Sequence, residues 1–178
     1  MAKKNPQRLQ PSETPPWTPE PVCDPGYWKA RLDACDGEIH RSVFNGSIDQ
    51  FSPLEADHRQ ALADEVRPDD AILDAGCGYG RLYRLLPQSW RGQYIGADIS
   101  PDLINEARRR YGEASNRWFA LADLRELPFR TNRFDLAVVC SIREMIRRNL
   151  GEPHWQVMEA EIHRVARRVL YLGYGRWD

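Results

Sequence analysis

The chain has 178 residues, 42% of them hydrophobic and 29% charged, which suits one domain with a real core rather than two. Its 25 basic and 26 acidic residues nearly cancel to a net charge of −1, so bulk electrostatics gives no reason to bind nucleic acid or a membrane. No run approaches the roughly 20 apolar residues of a membrane span, and the N-terminal stretch lacks the apolar centre of a secretory signal. The four cysteines, Cys23, Cys35, Cys77 and Cys140, show no C-x-x-C pairing. No metal site is therefore expected, and the chain reads as cytoplasmic.

Residues 1–26 carry seven of the 13 prolines, which removes backbone donors and predicts an extended arm, with Trp17 as a candidate anchor. Residues 27–66 turn helical and form an N-terminal cap: Tyr27, Trp28 and Leu32 begin one helix, and Pro53 to Val66 a second. Val43-Phe44-Asn45-Gly46-Ser47 reads as the turn between them. From residue 67 the signals alternate. AILDAG (71–76) is a short apolar strand, followed by glycines and a helical stretch, RLYRLLP. QYIGADI (93–99) is a second strand; Ser100-Pro101 then opens a helix with a capping hydroxyl and a first-turn proline, and Gly112 closes it. RWFALAD (117–123) and FDLAVVCS (134–141) are the third and fourth strands. Trp155, Met158, Ile162, Val165 and Val169 recur at helical spacing, and RVLYLGYG is a fifth strand. Strands alternating with helices predict an α/β fold: a Rossmann-like, open, mainly parallel sheet of about five strands flanked by helices.

The most informative segment is Asp74-Ala75-Gly76-Cys77-Gly78-Tyr79-Gly80. An apolar strand delivers an acid, and three glycines then line the turn, where positive φ lets a ligand lie against the backbone. The spacing is G-x-G-x-G, with Arg81 where a dinucleotide fingerprint places its third glycine. Asp74 would repel a pyrophosphate but attract the amino group of a methionine moiety, so charge favours S-adenosylmethionine (SAM) over a nicotinamide dinucleotide. Asp98 ends the second strand, where a carboxylate can accept both ribose hydroxyls. Asp123, with the Leu124 backbone, follows the third strand and can serve the adenine amino group. Each acid has a structural alternative: Asp74 and Asp123 as turn caps, Asp98 as an ordinary strand-end acid. Their joint spacing favours the binding reading.

The runs ILDAGCGYGRL, YIGADISPDLI and ALADLRELPFRTNRFDLAVV resemble the class I SAM-dependent methyltransferases, especially their small-molecule branch, over about residues 71–173. The resemblance implies SAM as cofactor, with S-adenosylhomocysteine as product. It implies that the Gly76, Cys77, Gly78 and Gly80 turn holds the methionine part, that Asp98 and Ile99 meet the ribose, and that Asp123 and Leu124 meet the adenine, with Cys140 on the floor. Tyr27 and Trp28 resemble the start of a leading helix that closes over the cofactor. The implied acceptor is a small molecule. Nucleic acid or protein, or a SAM-binding assembly role without turnover, are the alternatives, although nothing in the chain indicates nucleic acid. Arg143 is a candidate anion contact for the acceptor; pairing with Glu144 or Glu161 is its alternative. His40 lies in the cap as a candidate base, but no catalytic residue is assigned.

Against the family pattern, the core at 67–178 lacks the usual last two strands. The edge of the fifth strand, from Val169 to Tyr174, is therefore expected to be covered by a second subunit, by another protein or by the N-terminal arm.

Overall fold

The computed structural model describes residues 21–43 and 48–173. Most of the arm with Trp17, the turn residues Phe44 to Ser47, the end of the fifth strand from Tyr174, and Trp177 lie outside the described residues. The described chain opens with a 3-10 turn at Pro21–Cys23 and helix α1 at Pro25–Asp33. The Asp24 carboxylate caps α1 by accepting from the Gly26 N–H at 2.8 Å. A second 3-10 turn spans Ile39–Ser42, and α2 runs Ile48–Glu65. Helix α2 begins before the expected Pro53, which lies inside the helix as its sixth residue.

Five strands follow: β1 Ile72–Ala75, β2 Tyr94–Asp98, β3 Arg117–Leu121, β4 Leu136–Cys140 and β5 Val169–Leu172. All pair in parallel, in the order β3-β2-β1-β4-β5. Helix α3 (Pro101–Tyr111) connects β2 to β3, while α4 (Ile142–Leu150) and α5 (Glu152–Val165) connect β4 to β5. Side-chain alternation divides the core into two layers. Leu73, Ala75, Ala137 and Val139 meet Ile146, Trp155, Met158 and Ile162 on one face. Ile72, Leu136 and Val138 meet Leu62, Ile104 and Phe119 on the other.

Two sequence expectations change. The stretch after the glycines is a 3-10 helix, Arg81–Leu85, because Gly80 enters it left-handed and Leu86, preceding Pro87, is extended. Val169 does not continue the α5 stripe: α5 stops at Val165, Ala166 is extended, and Val169 pairs with Ala137 in β5. No helix among the described residues is long and apolar enough to cross a membrane.

Both outer strands have an unpaired side among the described residues. On β3 the Phe119 carbonyl accepts from Arg108 at 2.7 Å, and Arg108 is itself paired with Glu113 at 3.1 Å. Charged side chains at an edge discourage a further strand there. At the end of β5, His58 meets the Gly173 carbonyl at 2.9 Å.

Candidate cofactor crevice

The strand order reverses between β1 and β4, and a crevice opens there at the carboxyl ends of the strands, the usual ligand position in open α/β sheets. The turn after β1 forms part of its wall. Gly76, Gly78 and Gly80 have φ of +72°, +53° and +80°, and the Gly76 and Cys77 N–H groups both donate to the Ala97 carbonyl of β2. A Cβ on Gly76 would fall 1.6 Å from Ile142 Cδ1, and one on Gly80 would fall 2.9 Å from Phe119. The first glycine thus lets Ile142 pack directly against the turn, and the third lets the turn settle against β3.

Asp98 ends β2 with its carboxylate on the crevice wall and only 8% exposed. It accepts from Gly78 N–H at 2.8 Å and from Ser100 N–H at 2.9 Å, tying the glycine turn to the start of α3. Burial pushes its pKa up, partly offset by these backbone donors. Asp123, after β3, is also on the wall, but Arg125 holds its carboxylate through Nε at 3.0 Å to both oxygens and keeps its pKa down. Asp74 lies beneath the turn, 1% exposed; Tyr94 donates to Oδ2 at 2.6 Å, while Oδ1 has no partner. Burial raises Asp74 to about 7 against the opposing pull of the Tyr94 hydroxyl.

Of the residues picked from the sequence, Gly76, Gly78, Asp98, Ile99, Asp123, Leu124 and Cys140 line the crevice. Asp74, Cys77 and Gly80 support it from behind. Arg143 does not reach it: its guanidinium lies 5.5 Å from the Tyr171 ring and 3.9 Å from Glu144. The helical phase of α4 turns position 143 away, whereas Ile142, Met145 and Ile146 face inward. Tyr27 packs edge-on against Trp28, and Trp28 is the one on the wall.

Sequence reasoning pointed to Trp28 as part of a closing helix but missed the rest of the roof. Val22, Cys23, Trp28 and Val43 close the crevice from the cap, with Trp28 Nε1 donating to the Val22 carbonyl at 3.0 Å. Arg31 pins the Ile39–Ser42 turn by donating to the Ser42 and Arg41 carbonyls at 2.8 and 2.9 Å. Also unforeseen is a buried polar hub at the floor. Arg81 Nη2 donates to Cys140 Sγ at 3.0 Å and lies 3.1 Å from His58 Nδ1, with Glu55 at 3.5 Å. His58 Nε2 therefore carries the hydrogen given to Gly173, and Nδ1 accepts from Arg81. Ser141 takes a left-handed φ of +60° at the end of β4, a conformation costing a non-glycine residue roughly 1–3 kcal/mol, and this brings Ile142 over Gly76.

The residues fit an adenosyl sulfonium amino acid in three ways. A glycine backbone bare of Cβ atoms lines the crevice, a buried carboxylate ends β2, and a second carboxylate beneath the turn has an unused oxygen. Fold and site together are those of the class I, Rossmann-like SAM-dependent methyltransferases. The chain belongs to the methyltransferase domain family, whose pattern matches residues 72–168, more than half of its length.

Among relatives, the chain is 33% identical over 106 residues to malonyl-[acyl-carrier protein] O-methyltransferase of Acetivibrio thermocellus, covering 57% of this chain and 37% of that one. It is 28% identical to EEF1A lysine methyltransferase 4 of Mus musculus, covering 78% and 51%. Among solved structures, magnesium protoporphyrin IX methyltransferase from Synechocystis with bound SAM superposes with a TM-score of 0.52 at 21% identity, covering 69% and 57%. The chain thus spans between about a third and somewhat over half of these proteins' lengths.

Proposed function

We propose that this chain binds SAM in the crevice and transfers its methyl group to a small-molecule acceptor, releasing S-adenosylhomocysteine. The observation that carries this reading is the pairing of a Cβ-free glycine turn with the buried Asp98 carboxylate across one crevice. The cofactor, when bound, supplies a methyl group on an electrophilic sulfonium. The chain's own residues bind, orient and exclude water. Asp98 has lone pairs left for two ribose hydroxyls, Asp123 and the Leu124 backbone face the adenine edge, and Asp74 sits where it attracts an ammonium. Ile142 and Met145, with Val22 and Trp28 from the cap, give the apolar walls that keep water out.

Calorimetric titration with SAM tests the reading; no binding up to millimolar concentration would end it. Screening pooled metabolites then tests the acceptor class. The resemblance to a lysine methyltransferase over 78% of this chain supports a second reading, a protein acceptor, which a labelled-methyl transfer assay on protein mixtures separates from the first. A second copy of the chain is proposed to cover the outer side of β5, and a monomer by light scattering would refute that. The free thiols Cys23, Cys35, Cys77 and Cys140 suit a reducing compartment such as the cytoplasm.

A further inference from the structure

The crossover from β3 to β4, residues 122–135, contains no helix, so no helix of its own covers the adjacent face of β2 and β3. Trp118, Ala120 and Ala122 fall on that face by strand alternation, opposite to Phe119. Ala122 N–H extends the ladder by donating to the Asp98 carbonyl at 2.9 Å. The three residues form a shallow trough. Ala122 is buried and Ala120 half-buried, while Trp118 at the lower end is 37% exposed, beside the half-buried Ile95. Trp118 is one of three large apolar side chains exposed among the described residues. The other two, Leu121 and Val157, lie on the opposite face of β3 and on α5.

The N-terminal arm enters the described chain at the upper end of this trough. The Pro21–Cys23 turn packs against α1 and α4, and Val22 shares the core layer of Ala122 and Leu124. Cys23 lines the crevice with Asp123 and Leu124. Residues 1–20 precede the turn, outside the described residues, and Trp17 is their one aromatic side chain. Thr18, Pro19 and Glu20 are each a proline or the residue before one, which keeps the backbone extended. At about 3.1 Å per residue, Trp17 stands about 12 Å from Pro21. At about 3.3 Å per residue, Trp118 stands about 13 Å down the strand from Ala122. The two spans match, and the small alanine side chains between leave room for a backbone to lie over them.

The edge of β3 offers the arm much less. Arg117 exchanges backbone bonds with Ala114 at 3.1 and 2.9 Å, and the Phe119 carbonyl accepts from Arg108 at 2.7 Å. Prolines also lack the donor that a ladder needs. Both facts direct the arm to the face of the strand and not to its edge. We propose that the arm docks on its own domain, with Trp17 packed against Trp118 and Ile95, and residues 18–20 lying over Ala120. Paired indoles bury a large apolar area of both partners. Because the arm runs directly into Val22 and Cys23, this anchor also tethers the roof of the crevice. The docking does not depend on what the crevice binds.

Fluorine-19 spectra of the full chain labelled with 5-fluorotryptophan test this, each resonance being assigned by replacing one tryptophan with phenylalanine. The Trp17 resonance should lie away from its position in a peptide of residues 1–20 and resist broadening by a soluble gadolinium chelate. Trp118→Ala should return it to the peptide position and restore the broadening, and Trp17→Ala should move the Trp118 resonance. Leu121→Ala and Val157→Ala remove the other exposed apolar side chains and should leave Trp17 in place. A Trp17 resonance already at the peptide position, or one unmoved by Trp118→Ala, would overturn the docking. So would a Trp17 shift that appears only as protein concentration rises, since that places the arm on a second copy. The buried Trp90 and Trp155 resonances report whether each variant is folded. If Trp118→Ala loses them, the response of Trp118 to Trp17→Ala decides alone, and an unmoved Trp118 refutes the contact.

Discussion

Asp98 and Asp123 occupy equivalent places, each just at or past the end of a strand on one crevice wall, yet their surroundings have made them opposites. Asp98 is buried, which raises its pKa against the opposing pull of its backbone N–H donors, and its remaining lone pairs have no cation to satisfy them. Asp123 is partly exposed and gripped by Arg125, which holds its pKa down and competes for the same oxygens. Hydrogen bonds to a desolvated carboxylate are worth more than those to a screened, already paired one. The two carboxylates should therefore contribute unequally to ligand binding, with Asp98 and the glycine turn dominating over Asp123.

The largest expected effect falls at the turn shared by Asp98 and the ligand. Gly76→Val places a Cβ against Ile142 in a left-handed backbone and should reduce SAM affinity more than a hundredfold by calorimetry. It should also lower unfolding stability by about 1–3 kcal/mol in a denaturant titration. Next, Asp98→Ala should weaken SAM by about 1–3 kcal/mol. Retained affinity would remove the ribose assignment and the contrast with Asp123.

Asp74 sharpens the comparison through pH. In the free protein its carboxyl keeps a proton up to about 7, whereas an ammonium ligand favours the ionised form. SAM affinity should fall as pH drops below about 7, by up to about tenfold per unit, with a proton released on binding near pH 6.5. The same shift acts on folding. Between about pH 4 and 7 the unfolded chain has lost this proton and the folded one has not, so this group's contribution makes stability fall as pH rises through that window. Tyr94→Phe removes the hydroxyl that holds the pKa down and should move the break in affinity to higher pH.

Smaller effects belong to the rim. Asp123→Ala should cost about tenfold or less in SAM affinity, below the Asp98→Ala loss, because Arg125 already occupies much of that carboxylate. Arg125→Ala should be smallest, within about threefold and toward tighter binding, as the Asp123 carboxylate is freed for the ligand. A larger loss at Asp123 than at Asp98 would reverse the reasoning about burial.

Strands β1 to β4, the cap on α3 and the glycine turn were all readable along the chain because their signals are local: apolar runs, Ser100-Pro101, and glycines at fixed spacing. The acids at 98 and 123 could be placed because parallel strands deliver their last residues to one edge. Arg143 was misplaced because a charge next to a strand end carries no sign of helical phase, and only the packing of α4 decides that Ile142 and Met145 face inward. Val169 misled because its spacing from Val165 fits a helix as well as a strand that begins after one.

The residue pattern by itself determined the fold class, the crevice's place at the strand ends and the kind of ligand the floor accepts, since each depends on short-range backbone chemistry. Tertiary packing alone decided that Val22, Cys23 and Val43 join Trp28 in the roof, and it alone made the hub joining His58 and Cys140 through Arg81, 82 residues apart in the chain. It also decided which buried atoms were left unpaired. Burial and hydrogen-bond satisfaction are properties of neighbours in space, and no local spacing encodes them.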